Sequence, residues 1–264
     1  MDLHLHGKKA FVSGSTAGIG LAIAAALARE GAAVAVNGRT QARVDGAIAE
    51  VLARAPGATV TGIAADLGTA EGARRVTEAL PDVDVLVNNV GIFEPKPFLE
   101  IPDQDWMRFF EVNVLSGVRL SRHYLRGMLA RDFGRIIFVS SESGLQIPAE
   151  MVHYGMTKTA QIAVARGIAE TTAGTGVTVN SVLPGPTMSE GVGGFVEDLA
   201  RGQGKSVADI EADFFRSIRP SSLLKRFLTT DEVAAMVAYV ASPLASGTNG
   251  AALRVDGGVV RAIA

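Results

Sequence analysis

A chain of 264 residues that is 48% hydrophobic and 20% charged, with 30 glycines, carries ample apolar material for one large core and fits a single α/β domain. Its net charge of −2 shows no basic excess, which argues against a nucleic-acid or anionic-membrane partner and leaves small neutral or acidic ligands. The lack of cysteine excludes disulfides, thiol catalysis and thiolate metal sites, and no apolar run approaches the roughly 18 residues of a membrane span.

At the N-terminus His4 and His6 have no acid or third histidine near them in sequence, so they read as surface residues, and no metal site is expected. No secretory pattern is visible, and the expected location is cytoplasmic. The first strand, Lys9 to Ser13, runs into Ser13-Gly-Ser-Thr-Ala-Gly-Ile-Gly20, and an alanine-rich helix follows from Ile19 to Arg29. Glycines let a backbone turn tightly and approach a pyrophosphate, whose charge the open N–H groups of a helix start favour. A glycine triad alone only marks a turn; between a strand and a helix it marks a dinucleotide site.

Further along, β-branched runs alternate with helical periodicities. Strands are expected at Ala33 to Asn37, Val60 to Ala64, Val83 to Asn88, Arg135 to Ser140, Val177 to Val182 and Ala251 to Val255. Helices are expected at Gln41 to Ala53, Ala70 to Leu80, Trp106 to Ala130, Tyr154 to Thr172 and Asp231 to Ala241. Seven strands with helical crossovers define a doubly wound parallel sheet, a Rossmann-type fold, over residues 1–264, with neither repeat nor linker to divide it.

Chemistry concentrates between Ser140 and Lys158. Tyr154 and Lys158 stand four apart, one helical turn on the same face, so the ammonium can act on the phenol. A free phenol has a pKa of about 10, and a neighbouring cation lowers it by roughly one to three units, making it a usable proton donor or acceptor. Ser141, at the carboxyl end of an apolar strand, can hold the reacting oxygen. The spacing alone is a weak signal, and by itself Tyr154 reads as an amphipathic core or interface residue and Lys158 as a solvated helix charge.

Together these motifs identify the chain as similar to the short-chain dehydrogenase/reductase family, over essentially its whole length. The glycine spacing Gly14-x-x-x-Gly18-x-Gly20 matches that family's cofactor loop, with Ser13 in place of its usual threonine. The resemblance implies cofactor contacts from Ser13, Gly14, Thr16, Gly18, Ile19 and Gly20, and from Asp66 and Leu67 beside the adenine. It adds Asn89 and Gly91 of Asn88-Asn-Val-Gly91, where valine replaces alanine, and Pro184, Gly185 and Thr187 beside the nicotinamide. It also implies a catalytic tetrad of Asn113, Ser141, Tyr154 and Lys158, with Asn113 holding a water linked to the lysine and Lys158 binding the nicotinamide ribose. Asparagines also cap helices and Pro-Gly makes turns; the order of all these motifs together carries the resemblance.

The implied activity is NAD(P)-dependent hydride transfer between nicotinamide and a carbonyl or secondary alcohol on a small molecule. At the end of the second strand Val36-Asn-Gly-Arg39 offers no acid for a ribose diol; Arg39 suits the 2′-phosphate of NADP, which is preferred over NAD, although Asn37 can serve a hydroxyl. Residues 188–230 read as a substrate lid with an apolar inner face of Phe195, Leu199, Phe214 and Phe215. Glu197, Asp198, Arg201, Lys205, Asp209, Glu211 and Arg216 face water, and Gly191, Gly193 and Gly194 bring flexibility. Glu94 and Glu142 are pocket acids or solvated charges, and His153 faces another helix side, toward a subunit contact.

Two alternatives stand beside this reading. A 3-oxoacyl-carrier-protein reductase needs a basic docking face; Glu170 to Gly176 has no cation, while Arg126 and Arg131 offer two. A non-catalytic nucleotide-binding regulator keeps the fold but commonly loses the tyrosine or lysine. The resemblance further implies a homotetramer built on the helices Trp106 to Ala130 and Tyr154 to Thr172.

Overall fold

The computed structural model describes residues 2–263, apart from the Phe195 side chain. Strands β1 (Lys9–Val12), β2 (Ala33–Gly38), β3 (Val60–Ala64), β4 (Val85–Asn88), β5 (Gly134–Val139), β6 (Val177–Pro184) and β7 (Ala252–Val255) form one sheet in the order β3-β2-β1-β4-β5-β6-β7. Every pairing is parallel. Central strands read as continuous apolar runs because helices cover both faces; Ile136, Ile137 and Phe138 of β5 are all fully buried.

On one face lie α1 (Gly18–Arg29), α2 (Gln41–Arg54) and α9 (Thr230–Ala241). The buried side of α1 is mostly alanine (Ala22, Ala24, Ala25, Ala26, Ala28), which brings its backbone close to the sheet and to Val233, Val237 and Ala241 of α9. The opposite face carries α3 (Ala70–Ala79), α5 (Ser116–Ala130) and α6 (Val152–Glu170), packed through Val76, Leu120, Tyr124, Met128 and Ala165. Helices α7 (Glu190–Gln203) and α8 (Val207–Ser217) hold a separate small core of Val196, Ala200, Ile210, Phe215 and Phe227 over the sheet's carboxyl edge. Ser206 and Thr229 begin α8 and α9 with capping boxes to Asp209 and Glu232. No helix among the described residues is long and apolar enough to cross a membrane.

The expected helix from Trp106 to Ala130 is broken in two. Helix α4 begins earlier, at Asp103, and ends at Phe110; a π turn over Glu111–Leu115 separates it from α5. Apolar periodicity does not register one extra residue in a turn, and such π turns gather at functional positions. Asn113 sits in this one. Chain direction around the sheet reverses between β1 and β4, and the crevice at their carboxyl ends is where ligands bind in open α/β sheets.

Candidate active site

Two loops meet at that crevice. The Ser13 hydroxyl accepts the backbone N–H of Asn89 at 2.8 Å and of Val90 at 3.1 Å, and the Asn89 amide donates to the carbonyls of Ser13 and Gly14 at 3.1 and 3.0 Å. A β-carbon on Gly20 would lie 2.5 Å from both Asn89 Nδ2 and the Gly14 carbonyl, so only glycine fits there. Gly14 and Gly18 have φ of +60° and +55°, the left-handed region that glycine adopts freely. Ala17 supplies no side-chain cap to α1, which leaves the helix N–H groups open to an anion beside Ile19. The residues present therefore fit a dinucleotide pyrophosphate.

At the end of β2, Arg39 and Thr40 follow the strand into solvent, and Arg43 Nε donates to Thr16 Oγ1 at 3.3 Å. Arg43 is a second cation on this rim that the strand-end motif did not single out; its position one turn into α2 was the available signal. Asn37 corrects the expectation of a ribose contact. It is buried, accepts Gly14 N–H at 3.1 Å and donates to the Ile63 and Ala65 carbonyls at 3.0 and 3.1 Å, so it braces the glycine loop. Asp66 is exposed, its Oδ1 receiving the Gly68 N–H at 3.0 Å, and Leu67 next to it is buried.

Tyr154, Ser141 and Lys158 line a cavity of about 650 Å³, together with Asn89, Gly91, Pro184, Gly185 and Thr187. Tyr154 enters from the first turn of α6, and Ser141 follows β5. Lys158, 5% exposed, points its Nζ at the Val139 carbonyl (3.0 Å) and Gln161 Oε1 (3.1 Å), 5.6 Å from the Tyr154 ring centroid. Burial pulls its pKa down to about 8 against the opposing pull of Glu142. The phenol behaves contrary to the expected lowering by lysine. Burial pushes its pKa well above 10, Glu142 pushes it further, and the Ser141 hydroxyl and Arg219 oppose them.

Asn113 is buried, its side chain spanning Ile92 N (2.8 Å), Ile92 O (3.0 Å) and Thr157 Oγ1 (2.9 Å). Its main-chain carbonyl accepts Gln161 Nε2 at 2.6 Å, so the side-chain amide of Gln161 links Asn113 to Lys158 directly. Gln161 lay outside the motifs, although its position one turn beyond Lys158 on α6 placed it on the right face. Glu142 proves buried, bonded to Ser141 and Arg219, whereas Glu94 is half-buried and held by Lys96 and Arg108. His153 does not reach a subunit surface. It is fully buried against Phe109, 4.0 Å between ring centroids, and neither ring nitrogen has a hydrogen-bond partner among the described residues.

The lid contributes Val192, Val196, Leu199, Phe214 and Phe227 to the lining of the same cavity. Phe215 instead packs inside the lid on Phe214 and Phe227, and Phe195 lies outside the described side chains. Glu211, expected in water, turns inward to accept the Phe227 N–H at 2.7 Å, while Glu197, Asp198, Arg201, Lys205, Asp209 and Arg216 are exposed as expected. Gly191, Gly193 and Gly194 lie in the opening turns of α7, capped by Ser189.

A glycine-loop nucleotide cradle beside a Ser-Tyr-Lys cluster at a sheet switch point defines a nucleotide-dependent oxidoreductase site. The short chain dehydrogenase family model matches residues 8–199, and the chain belongs to that family, enzymes that interconvert alcohol and carbonyl groups. It is 48% identical over 263 residues to the uncharacterized oxidoreductase YvaG of Bacillus subtilis, covering 100% of both chains. It is 32% identical to the 3-oxoacyl-[acyl-carrier-protein] reductase of Aquifex aeolicus, covering 98% of this chain and 100% of the relative. Among solved structures, L-sorbose reductase from Gluconobacter frateurii, complexed with NADPH and L-sorbose, superposes with a TM-score of 0.92 at 29% identity over 100% of both chains.

Proposed function

We propose that this protein is an NADPH-dependent reductase of a carbonyl group carried on a mainly apolar small molecule. The observation that carries the reading is one cavity lined both by Tyr154, Ser141 and Lys158 and by the apolar lid side chains Val192, Val196, Leu199, Phe214 and Phe227. When bound, the nicotinamide cofactor supplies the hydride. Gly14, Gly18, Ile19 and Gly20 hold its pyrophosphate; Asn89, Gly91, Pro184, Gly185 and Thr187 line its nicotinamide side; Asp66 and Leu67 serve the adenine. Arg39 and Arg43, with no acid at the end of β2, favour a 2′-phosphate over a free ribose diol, which supports NADP over NAD.

Ser141 and Tyr154 donate hydrogen bonds to the carbonyl oxygen, and Tyr154 delivers the proton to it. A phenol that burial keeps protonated suits this direction. Lys158 presents its ammonium to the cofactor ribose beside Gly91, while Asn113 and Gln161 fix its position. The apolar wall of Leu199, Phe214 and Phe227 excludes water from the reacting end.

The carrier-protein reading loses one of its two cations, since Arg131 pairs with Asp82 at 2.8 Å and donates to the Val83 carbonyl. Self-association, with a homotetramer as the expected state, is supported by the exposed apolar side chains of Phe98 and Leu99 ahead of α4 and of Met107 within it, and light scattering measures it. A cytoplasmic location follows from the use of reduced nicotinamide, which that compartment regenerates.

The test is turnover of NADPH with a panel of hydrophobic ketones, sugars, hydroxy acids and acyl thioesters, repeated with Tyr154→Phe. Hydrophobic ketones are expected to lead, and Tyr154→Phe to lose roughly 10²-fold or more in kcat while cofactor affinity holds. Full activity in Tyr154→Phe would sink the assignment, and a preference for sugars or hydroxy acids would overturn the substrate class.

A further inference from the structure

One buried ion pair outside the tetrad reaches the reacting end of the cavity. Arg219 lies just beyond α8, in the returning limb of the lid, and is 9% exposed. Its Nε donates to Glu142 Oε1 at 3.1 Å; its Nη1 donates to Glu150 Oε1 and to the Ile218 carbonyl, each at 3.1 Å. Glu142, 4% exposed, uses its other oxygen to accept the Ser141 hydroxyl at 2.5 Å and both the N–H (2.8 Å) and hydroxyl (3.1 Å) of Ser143. An unbroken run of hydrogen bonds thus joins the lid to Ser141.

This arrangement sets up a competition. A serine hydroxyl has one proton, and a proton donated to Glu142 is not available to the substrate oxygen. An uncompensated buried carboxylate would hold it firmly, whereas a guanidinium on the far oxygen draws charge away from the serine side. Resting on the reductase reading above, we infer that Arg219 is a positioning residue that, by neutralising Glu142, weakens the carboxylate's hold on the Ser141 hydroxyl, so that a bound carbonyl oxygen can compete for that proton.

The charges around the Tyr154 phenol make the effect readable. Glu142 comes from the serine turn, Arg219 from the lid, Lys158 from its own helix, and Glu150 from the turn ahead of α6, already paired with Arg219. The loop after β4 contributes the edge of Phe93, 6.3 Å between ring centroids, while its Glu94 is engaged by Lys96 and Arg108. Glu142 raises the phenol's pKa and Arg219 lowers it. Removing Arg219 therefore moves the pH at which the phenol loses its proton upward; removing the Glu142 charge moves it downward.

The experiment compares wild type, Glu142→Gln, Arg219→Gln and the double variant in ketone reduction, in pH profile and in denaturant unfolding. Arg219→Gln is expected to lower kcat by about 10- to 100-fold with NADPH affinity unchanged, and to shift the alkaline limb upward. In the Glu142→Gln background the same change is expected to cost no more than about threefold, since no buried carboxylate remains to be neutralised. Equal losses in both backgrounds with an unmoved pH profile would reduce Arg219 to a structural residue and overturn the inference. So would unfolding free energies that add without coupling, a result independent of turnover. If Arg219→Gln fails to fold, Arg219→Lys keeps the charge and is expected to keep the wild-type profile; a profile shifted as for charge removal overturns the inference. Wild-type turnover that Tyr154→Phe abolishes leaves the reductase reading standing whatever Arg219 does, whereas wild type without carbonyl reduction refutes that reading and this inference with it.

Discussion

Replacing Arg39 and Arg43 by alanine tests the cofactor assignment most directly. Both side chains are exposed; Arg43 is anchored 3.3 Å from Thr16 Oγ1 at the rim of the glycine loop, and Arg39 stands at the end of β2. A hydrogen bond to a charged group contributes roughly 1.5–3 kcal/mol, and exposure puts these contacts at the lower end. At about 1.4 kcal/mol per decade, each single substitution is expected to weaken NADPH binding by roughly tenfold. The double variant should lose somewhat less than about 100-fold, because two cations around one phosphate are not independent. NADH has no 2′-phosphate, so its affinity should hold. Fluorescence titration of reduced nicotinamide reads both constants, and raising salt should shrink the NADPH advantage. Parallel losses for NADPH and NADH, or a wild type that binds NADH more tightly, would refute the reasoning.

Lys158→Met should stabilise the fold at neutral pH. The ammonium has its pKa near 8 in the folded protein and about 10.4 when unfolded, so the unfolded chain binds the extra proton and the penalty, about 3 kcal/mol, is fully present below pH 8 and is relieved as pH rises toward 10.4. Urea midpoints across that range should therefore converge between wild type and variant, with the lost bonds to Val139 and Gln161 trimming the gain. Gln161→Leu leaves the Asn113 carbonyl and Lys158 each short of a partner; a cost of about 1–3 kcal/mol and a lower kcat are expected from unfolding curves and initial rates. Gly20→Ala forces a β-carbon to 2.5 Å from Asn89 Nδ2 and the Gly14 carbonyl, and should lower both Tm and NADPH affinity.

Much of this architecture was legible in the sequence because it depends on local rules. β-branched runs and glycine punctuation marked the seven strands, and the single helical turn between Tyr154 and Lys158 put them on one face. Boundaries shifted by a residue or two where ladder pairing decides, as at β4, which starts at Val85 rather than Val83. What local pattern did not reveal came from contacts across the chain. Asn37 looked like a ligand group until its amide met the carbonyls of Ile63 and Ala65; His153 looked like an interface residue until Trp106 and Phe109 covered it. Glu142 and Arg219 are 77 positions apart, and neither residue announces the other.

The same distinction governs the acidity of Tyr154. Sequence spacing places a cation one turn away and predicts a lowered pKa, but spacing says nothing about where the ammonium points or how much water remains. In the folded protein Lys158 turns to Val139 and Gln161, burial disfavours its own charge, and the carboxylate that acts on the phenol is Glu142. Desolvation of a phenol in that surrounding outweighs one cation 5.6 Å from its ring centroid. Burial and Glu142 therefore leave Tyr154 in its protonated form, the state the proposed reduction requires, and on that reading the groups that ease its proton toward a carbonyl oxygen are the ones that offset Glu142. Arg219 offsets it from the lid and Lys158 from the helix, which is why the lid belongs to the chemistry of this site as well as to its shape.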